Sequence, residues 1–164
     1  MKRFMFVAVL LLAMASIVFA AEMDIDKHQS CGYCGMNRTK FAHSRMLVEY
    51  DDGTSAGVCS LRCAAVELVN NLDKTPSRIG VGDYASRKLI DAESAVWVVG
   101  GKKPGVMTGN AKWAFATRKG AEEFVKENGG TVATFETAIK AAYQEIYQDT
   151  KMIRERRKMM RMKQ

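Results

Sequence analysis

Met46-Leu47-Val48-Glu49-Tyr50-Asp51-Asp52-Gly53-Thr54-Ser55-Ala56-Gly57-Val58-Cys59-Ser60-Leu61-Arg62-Cys63 is the stretch on which the fold turns. Its first five residues favour extended backbone and predict a strand. Asp51-Asp52-Gly53-Thr54 carries the Asp-Gly signal of a tight reversal, and Ser55 to Val58 predicts the returning strand. Ser60 then stands where a helix N-cap belongs. Leu61 to Asn71 predicts that helix, with Ala64, Ala65, Leu68 and Leu72 recurring on one side. Ile79-Gly80-Val81 predicts a short strand after it.

Downstream the same order recurs. Ala95 to Val99 reads as a strand, Gly100-Gly101-Lys102-Lys103-Pro104-Gly105 as a turn, and Lys112 to Ala116 as the return. Thr117 can cap a helix from Arg118 to Glu127, which Gly129-Gly130 would stop. Thr131 to Phe135 predicts one more strand. The fold class is therefore α+β: two similar small ββαβ units, residues 21–84 and 85–136, with an internal duplication as the simplest origin. Tyr84 to Glu93 reads as the connection, and Trp97 and Trp113 read as core. From Glu136 the pattern is helical, with Ile139, Ala142, Tyr143, Ile146 and Tyr147 as an apolar stripe. Residues 137–164 are expected to form a C-terminal basic helix or tail. Past Lys151 it mixes methionines with cations, a composition suited to weak contact with anionic lipid or to passing metal through Met159, Met160 and Met162. The plain reading is a solvated, frayed helix end.

The first residues set the expected compartment. Lys2 and Arg3 precede an almost unbroken apolar run from Phe4 to Phe19, and Val18-Phe19-Ala20 supplies small residues for cleavage. Residues 1–20 are read as a secretory signal peptide and the protein as periplasmic; an uncleaved membrane anchor is the alternative. No lipid-attachment cysteine is evident, since Cys31 lies behind polar Asp24-Ile25-Asp26-Lys27-His28-Gln29-Ser30. The formal charge of the 164-residue chain is +7. Lys2 and Arg3 leave with the signal, and much of the remaining excess sits at the C-terminus. The basic balance describes a tail, and nucleic acid is not an expected partner of an exported chain.

All four cysteines fall in two close pairs, Cys31 with Cys34 and Cys59 with Cys63, and Met36 stands beside the first. Thiolate plus thioether is the soft donor set that Cu(I) prefers. Cys59 and Cys63 are four apart at the start of a predicted helix, so their sulfurs share a face, and a helix N-terminus is expected to lower a thiol pKa. Cys31-Gly32-Tyr33-Cys34-Gly35 is a glycine-containing loop able to fold around an ion. Three readings compete: soft-metal binding with Met36 and with Met107 or His43; disulfide exchange through Cys-Gly-Tyr-Cys; or a structural role as two disulfides or a zinc knuckle. The exchange reading wants the pair at the head of a helix with a nearby proline loop, and the sequence around Cys34 supplies neither. No other enzyme constellation is visible. His43 is a candidate ligand or an edge side chain, and His28 reads as part of a mobile leader. Gly32, Gly35 and Gly53 do not compose a phosphate-binding loop.

Cys34-Gly35-Met36 occurs together with Pro104-Gly105-Val106-Met107, Trp113-Ala114-Phe115, and Ala121-Glu122-Glu123-Phe124 leading to Gly129-Gly130-Thr131-Val132. In these elements the chain resembles the NosL family, exported copper-binding accessory proteins of nitrous oxide reductase maturation. The resemblance implies two ββαβ units, Cu(I) binding and copper supply to the reductase. Residue by residue it implicates Cys34 and Met36 first, then Met107. Cys59-Ser60-Leu61-Arg62-Cys63 additionally resembles the TRASH-type knuckle of heavy-metal sensing and trafficking proteins. Three departures stand out: no lipidated cysteine, the extra thiols Cys31, Cys59 and Cys63, and a Met107 offset from the family's Pro-Met-Gly order.

These readings converge on an exported, non-enzymatic Cu(I) metallochaperone that hands copper to a recipient enzyme, nitrous oxide reductase by resemblance. The expected metal ligands are Cys34, Met36, Cys59, Cys63 and Cys31, with Met107 and His43 behind them. Zinc is the alternative ion. A zinc- or disulfide-stabilised structural or metal-sensing module is the alternative function, followed by a thiol-disulfide oxidoreductase.

Overall fold

The computed structural model describes residues 24–163. The expected signal peptide lies outside the described residues. After one helical turn over residues 24–27, the chain runs β1 (Met46–Tyr50), β2 (Ser55–Val58), α1 (Leu61–Asn70), β3 (Pro76–Gly82), β4 (Leu89–Asp91), β5 (Val96–Val99), β6 (Lys112–Phe115), α2 (Arg118–Asn128), β7 (Thr131–Ala133) and α3 (Phe135–Arg161).

The opening hairpin forms as its sequence predicts. Tyr50 donates its backbone N–H to the Thr54 carbonyl, Asp52 Oδ1 accepts from Thr54 N, and Gly53 adopts φ +78°, a left-handed conformation that costs glycine little. β1 pairs antiparallel with β2 on one side and β3 on the other, giving the order β2-β1-β3-β4. The second sheet repeats the scheme as β6-β5-β7, again with the first strand of the hairpin in the centre. In both units the helix crosses from the second strand to the third. This is the α+β architecture of two ββαβ units expected from the sequence, followed by a C-terminal helix. Among the described residues, no helix is long and apolar enough to cross a membrane.

The two units share one apolar core that runs from Met46, Val58 and Ala64 through Trp97 and Val98 to Trp113, Phe124 and Ala142. Trp97 and Trp113 are both buried, as their strand positions predict. The joint between the sheets is tight: Asp83 bridges to Ala114 in parallel, Tyr84 N donates to Ala114 O at 2.8 Å, and Asp83 Oδ1 accepts from Ala116 N at 2.8 Å. The Tyr84 ring packs against those of Phe124, Trp113 and Phe115.

Several local expectations shift. The stretch from Tyr84 to Glu93 is not a bare connection. It carries β4, whose Leu89 side chain fills the space left by Gly80, where a Cβ would meet Leu89 Cδ2 at 2.8 Å. The first helix ends at Asn70, which leaves Leu72 exposed rather than on the apolar face. Ser60 occupies the N-cap position without making a side-chain cap bond. Thr117 does cap α2, accepting from Gly120 N, and Gly129 and Gly130 close it at φ +72° and +98°. Phe135 belongs to α3 instead of β7, because Thr134 accepts from Thr137 N and starts the helix there. α3 buries Ala138, Ala142 and Asp149 against α1 and β5, while Tyr143 and Tyr147 face outward. The helix then continues without a break to Arg161.

Candidate metal centre

Three elements bring the four cysteines together. Cys31 and Cys34 lie in a knuckle loop whose ends are joined by a Ser30–Asn37 bridge. Inside it, Cys31 N donates to Met36 O and Gly35 N to Cys31 O, both at 2.9 Å, and Gly35 takes φ +74°. Cys59 follows the last residue of β2, and Cys63 lies in the first turn of α1. The Tyr33 hydroxyl donates to Glu67 Oε2 at 2.7 Å and ties the loop to α1.

Beneath the loop lies a buried ionic frame. Arg38 is 0 % exposed and donates to the carbonyls of Asp24, His28, Met46 and Val58 as well as to Asp24 Oδ2 at 2.8 Å. Arg45 Nε donates to the same carboxylate oxygen at 2.9 Å. His28 therefore does not belong to a mobile leader: its ring bonds Ser55 Oγ at 3.0 Å, and its carbonyl is held by Arg38. A buried charge persists only when paired and hydrogen-bonded, and here one carboxylate serves two guanidinium groups.

The sulfurs of Cys31, Cys34, Cys59 and Cys63 all lie within 4.8 Å of one another. Cys34 Sγ is 3.4 Å from Cys59 Sγ, and Cys59 Sγ is 3.8 Å from Cys63 Sγ. Disulfide sulfurs stand about 2.05 Å apart, so all four are free thiols. Around a tetrahedral ion with bonds of about 2.3 Å, sulfurs are about 3.8 Å apart. The cluster is therefore spaced for a single soft ion. Cys31, Cys59 and Cys63 are buried and Cys34 is half-buried, which makes it the thiol on the open side.

The electrostatics of the cluster reverse one expectation. The helix thiols are not the acidic ones. Hydrogen bonds to Cys31 and Cys34, reinforced by burial, push Cys59 and Cys63 up. Cys31 is driven down because Cys34, Cys59 and Cys63 all donate to its sulfur. For Cys34, the bond to Cys31 raises the pKa, but the bonds from Cys59 and Cys63 outweigh it and bring the thiol to about 7. Sulfur–sulfur hydrogen bonding is the leading cause of each of these directions.

The Cys31–Cys34 pair sits in a loop rather than at the head of a helix, so the arrangement used by thioredoxin-type exchange is not present. His43 is not part of the thiol cluster. Burial, then Arg87, lowers its pKa and favours neutral imidazole, and its ring lies against Phe41, Tyr84 and Trp113. With Met36 and Met107, His43 lines a groove beside the cluster. Sequence reasoning missed the frame of Asp24, Arg38 and Arg45, whose charged residues carry no apolar periodicity to mark them as interior.

The sequence model of the NosL family matches residues 22–143. The chain belongs to the NosL family. Among solved structures, the copper chaperone NosL from Shewanella denitrificans is similar, with a TM-score of 0.57 and 25 % identity over 68 % of this chain and 90 % of that one. No curated protein sequence matches the chain. This NosL-family chain thus pairs the fold of a copper chaperone with a cysteine cluster able to hold a metal, and it is not an enzyme.

Proposed function

We propose that this protein is an exported Cu(I) chaperone whose cargo sits on the cysteine cluster and is handed to a periplasmic copper enzyme, nitrous oxide reductase. Four buried or half-buried thiols within 4.8 Å of one another carry this reading. Cys34, Cys59 and Cys63 are the principal ligands, Cys31 completes the sulfur set, and Met36 adds a neutral thioether on the open side. The all-sulfur donor set of thiolates and thioether suits a soft monovalent ion. Release proceeds at Cys34, the thiol an incoming donor can reach. The family and the description of the Shewanella protein support copper as the cargo, and the residues read as a signal peptide support export.

Titration of the reduced protein with Cu(I) against a chromophoric chelator tests this. One equivalent should bind with thiolate-to-copper absorption, and Cys34→Ser should weaken it at least tenfold. Unchanged affinity in that variant would sink the assignment. The near-tetrahedral spacing favours one second reading, a closed zinc site that holds the fold together. That reading requires stoichiometric zinc in protein isolated from the periplasm, and loss of the fold when it is chelated.

A further inference from the structure

A disulfide needs two sulfurs within reach and an oxidant able to touch one of them. Cys34 Sγ and Cys59 Sγ stand 3.4 Å apart, closer than the 3.8 Å between Cys59 and Cys63. Closing that gap to the bonded length of about 2.05 Å asks for a movement of about 1.4 Å. Cys34 is placed to make it. It is half-buried in the knuckle loop, and at Gly32 and Gly35 on either side the space where a Cβ would project is open. Cys59 is fully buried, and its carbonyl accepts from Ser44 Oγ at 2.9 Å. The approach is therefore made by Cys34 toward a fixed partner.

Access selects the same pair. Cys31 is 3 % exposed, and Cys59 and Cys63 are 0 % exposed, so a reagent in solution meets Cys34 first. The bond would join the loop to the residue after β2, across 25 positions of chain. Sequence spacing alone favours the two short pairs, Cys31 with Cys34 and Cys59 with Cys63.

We propose that Cys34 and Cys59 form a reversible disulfide that closes the cluster to copper, so that Cu(I) loads only onto the reduced chain. The proposal rests on the cluster being the Cu(I) site. The oxidant is another disulfide, of a small thiol or a protein, the class found in oxidising compartments. The Cys34 thiolate attacks one sulfur of that disulfide, whose S–S bond breaks to release one thiolate. Cys59 gives its proton to solvent and attacks Cys34 Sγ, and the second thiolate leaves. Two cysteine thiols are oxidised, and the donor disulfide is reduced by two electrons to two thiols. The product removes two thiolates from the donor set, and Cys31 and Cys63 are left to hold the metal alone.

The reduced, metal-free full chain should be equilibrated with oxidised glutathione, alkylated, and digested without reduction by trypsin and chymotrypsin. Cleavage after Arg62 and after Tyr33 puts each cysteine on its own peptide, so the linked pair is read directly by mass spectrometry. The Cys34–Cys59 link should dominate. Cys59→Ser should stop at a glutathione adduct on Cys34, and Cys63→Ser should still close the bond. Ag(I) serves as the metal probe, being a soft monocation that does not reduce disulfides. The oxidised chain should bind it about tenfold more weakly than the reduced chain, or worse, and reduction should restore the affinity. A dominant Cys31–Cys34 or Cys59–Cys63 link, or equal Ag(I) affinity in the two forms, would overturn the proposal. A reduced chain that takes Ag(I) yet forms no Cys34–Cys59 link refutes the redox gate alone. A chain that forms the link but takes no Ag(I) when reduced refutes the cluster reading, and the gate with it.

Discussion

Cys34 differs from its three partners in a way that residue type could not reveal. It is half-buried where they are buried, and its thiol titrates near neutrality, at about 7. Cys59 and Cys63 hold their protons more tightly than ordinary thiols, so metal must displace them. Cu(I) affinity should therefore fall as pH falls. Between pH 8 and 7 the slope reflects protons returning to Cys59 and Cys63. Below pH about 7, Cys34 protonates as well, and the slope should steepen by one proton. Affinity measured with a pH-independent competitor between pH 6 and 8 checks this, and a flat profile would point to thioether ligands alone. The spacing of the cysteines showed that each pair is local. That the pairs converge, and which thiol is acidic, follow from tertiary contacts that spacing does not encode.

The elements were legible where periodicity or turn chemistry was strong. The Asp-Gly hairpin, the Thr117 cap and the Gly129-Gly130 stop all stand where the sequence put them. β4 was hidden because three residues are too few to show alternation. Of the expected apolar stripe on α3, Ile139, Ala142 and Ile146 pack on the core, whereas Tyr143 and Tyr147 face solvent, because tyrosine is amphipathic and lies at the edge of the stripe. The knuckle loop rests on few apolar contacts, chiefly Cys31 and Met36, and the Asp24–Arg38–Arg45 frame adds an ionic anchor. Asp24→Ala would leave two buried guanidinium groups without their carboxylate and should cost about 3 kcal/mol or more in urea unfolding. Asp24→Asn should recover part of this. A loss below about 1 kcal/mol would show that the carbonyl partners suffice on their own.

At the scale of the molecule, the two ββαβ units act as one because their sheets are joined at Asp83. Its carboxylate accepts from Ala116 N, Ser86 N and Ser86 Oγ. Burial raises its pKa, but these bonds outweigh it and hold the carboxyl below the usual range. The stabilisation is therefore present above the unfolded value of about 3.9 and is lost as pH falls through the lower folded value. Asp83→Ala should cost about 1–2 kcal/mol near neutral pH by taking the acceptor from three part-buried donors. The difference from wild type should shrink as pH falls below the unfolded value of about 3.9, which thermal unfolding across pH 2–7 would record; a pH-independent difference would contradict it. The cluster lies at the edge of this joined core, with Cys34 as its half-buried thiol.

The central claim is that copper sits on the cysteine sulfurs. X-ray absorption at the copper edge, on reduced protein loaded with one equivalent of Cu(I), measures that most directly. The account predicts a shell of sulfur alone at about 2.3 Å, with fewer sulfur neighbours in Cys34→Ser. A shell dominated by nitrogen or oxygen, or one unchanged by Cys34→Ser, would contradict it.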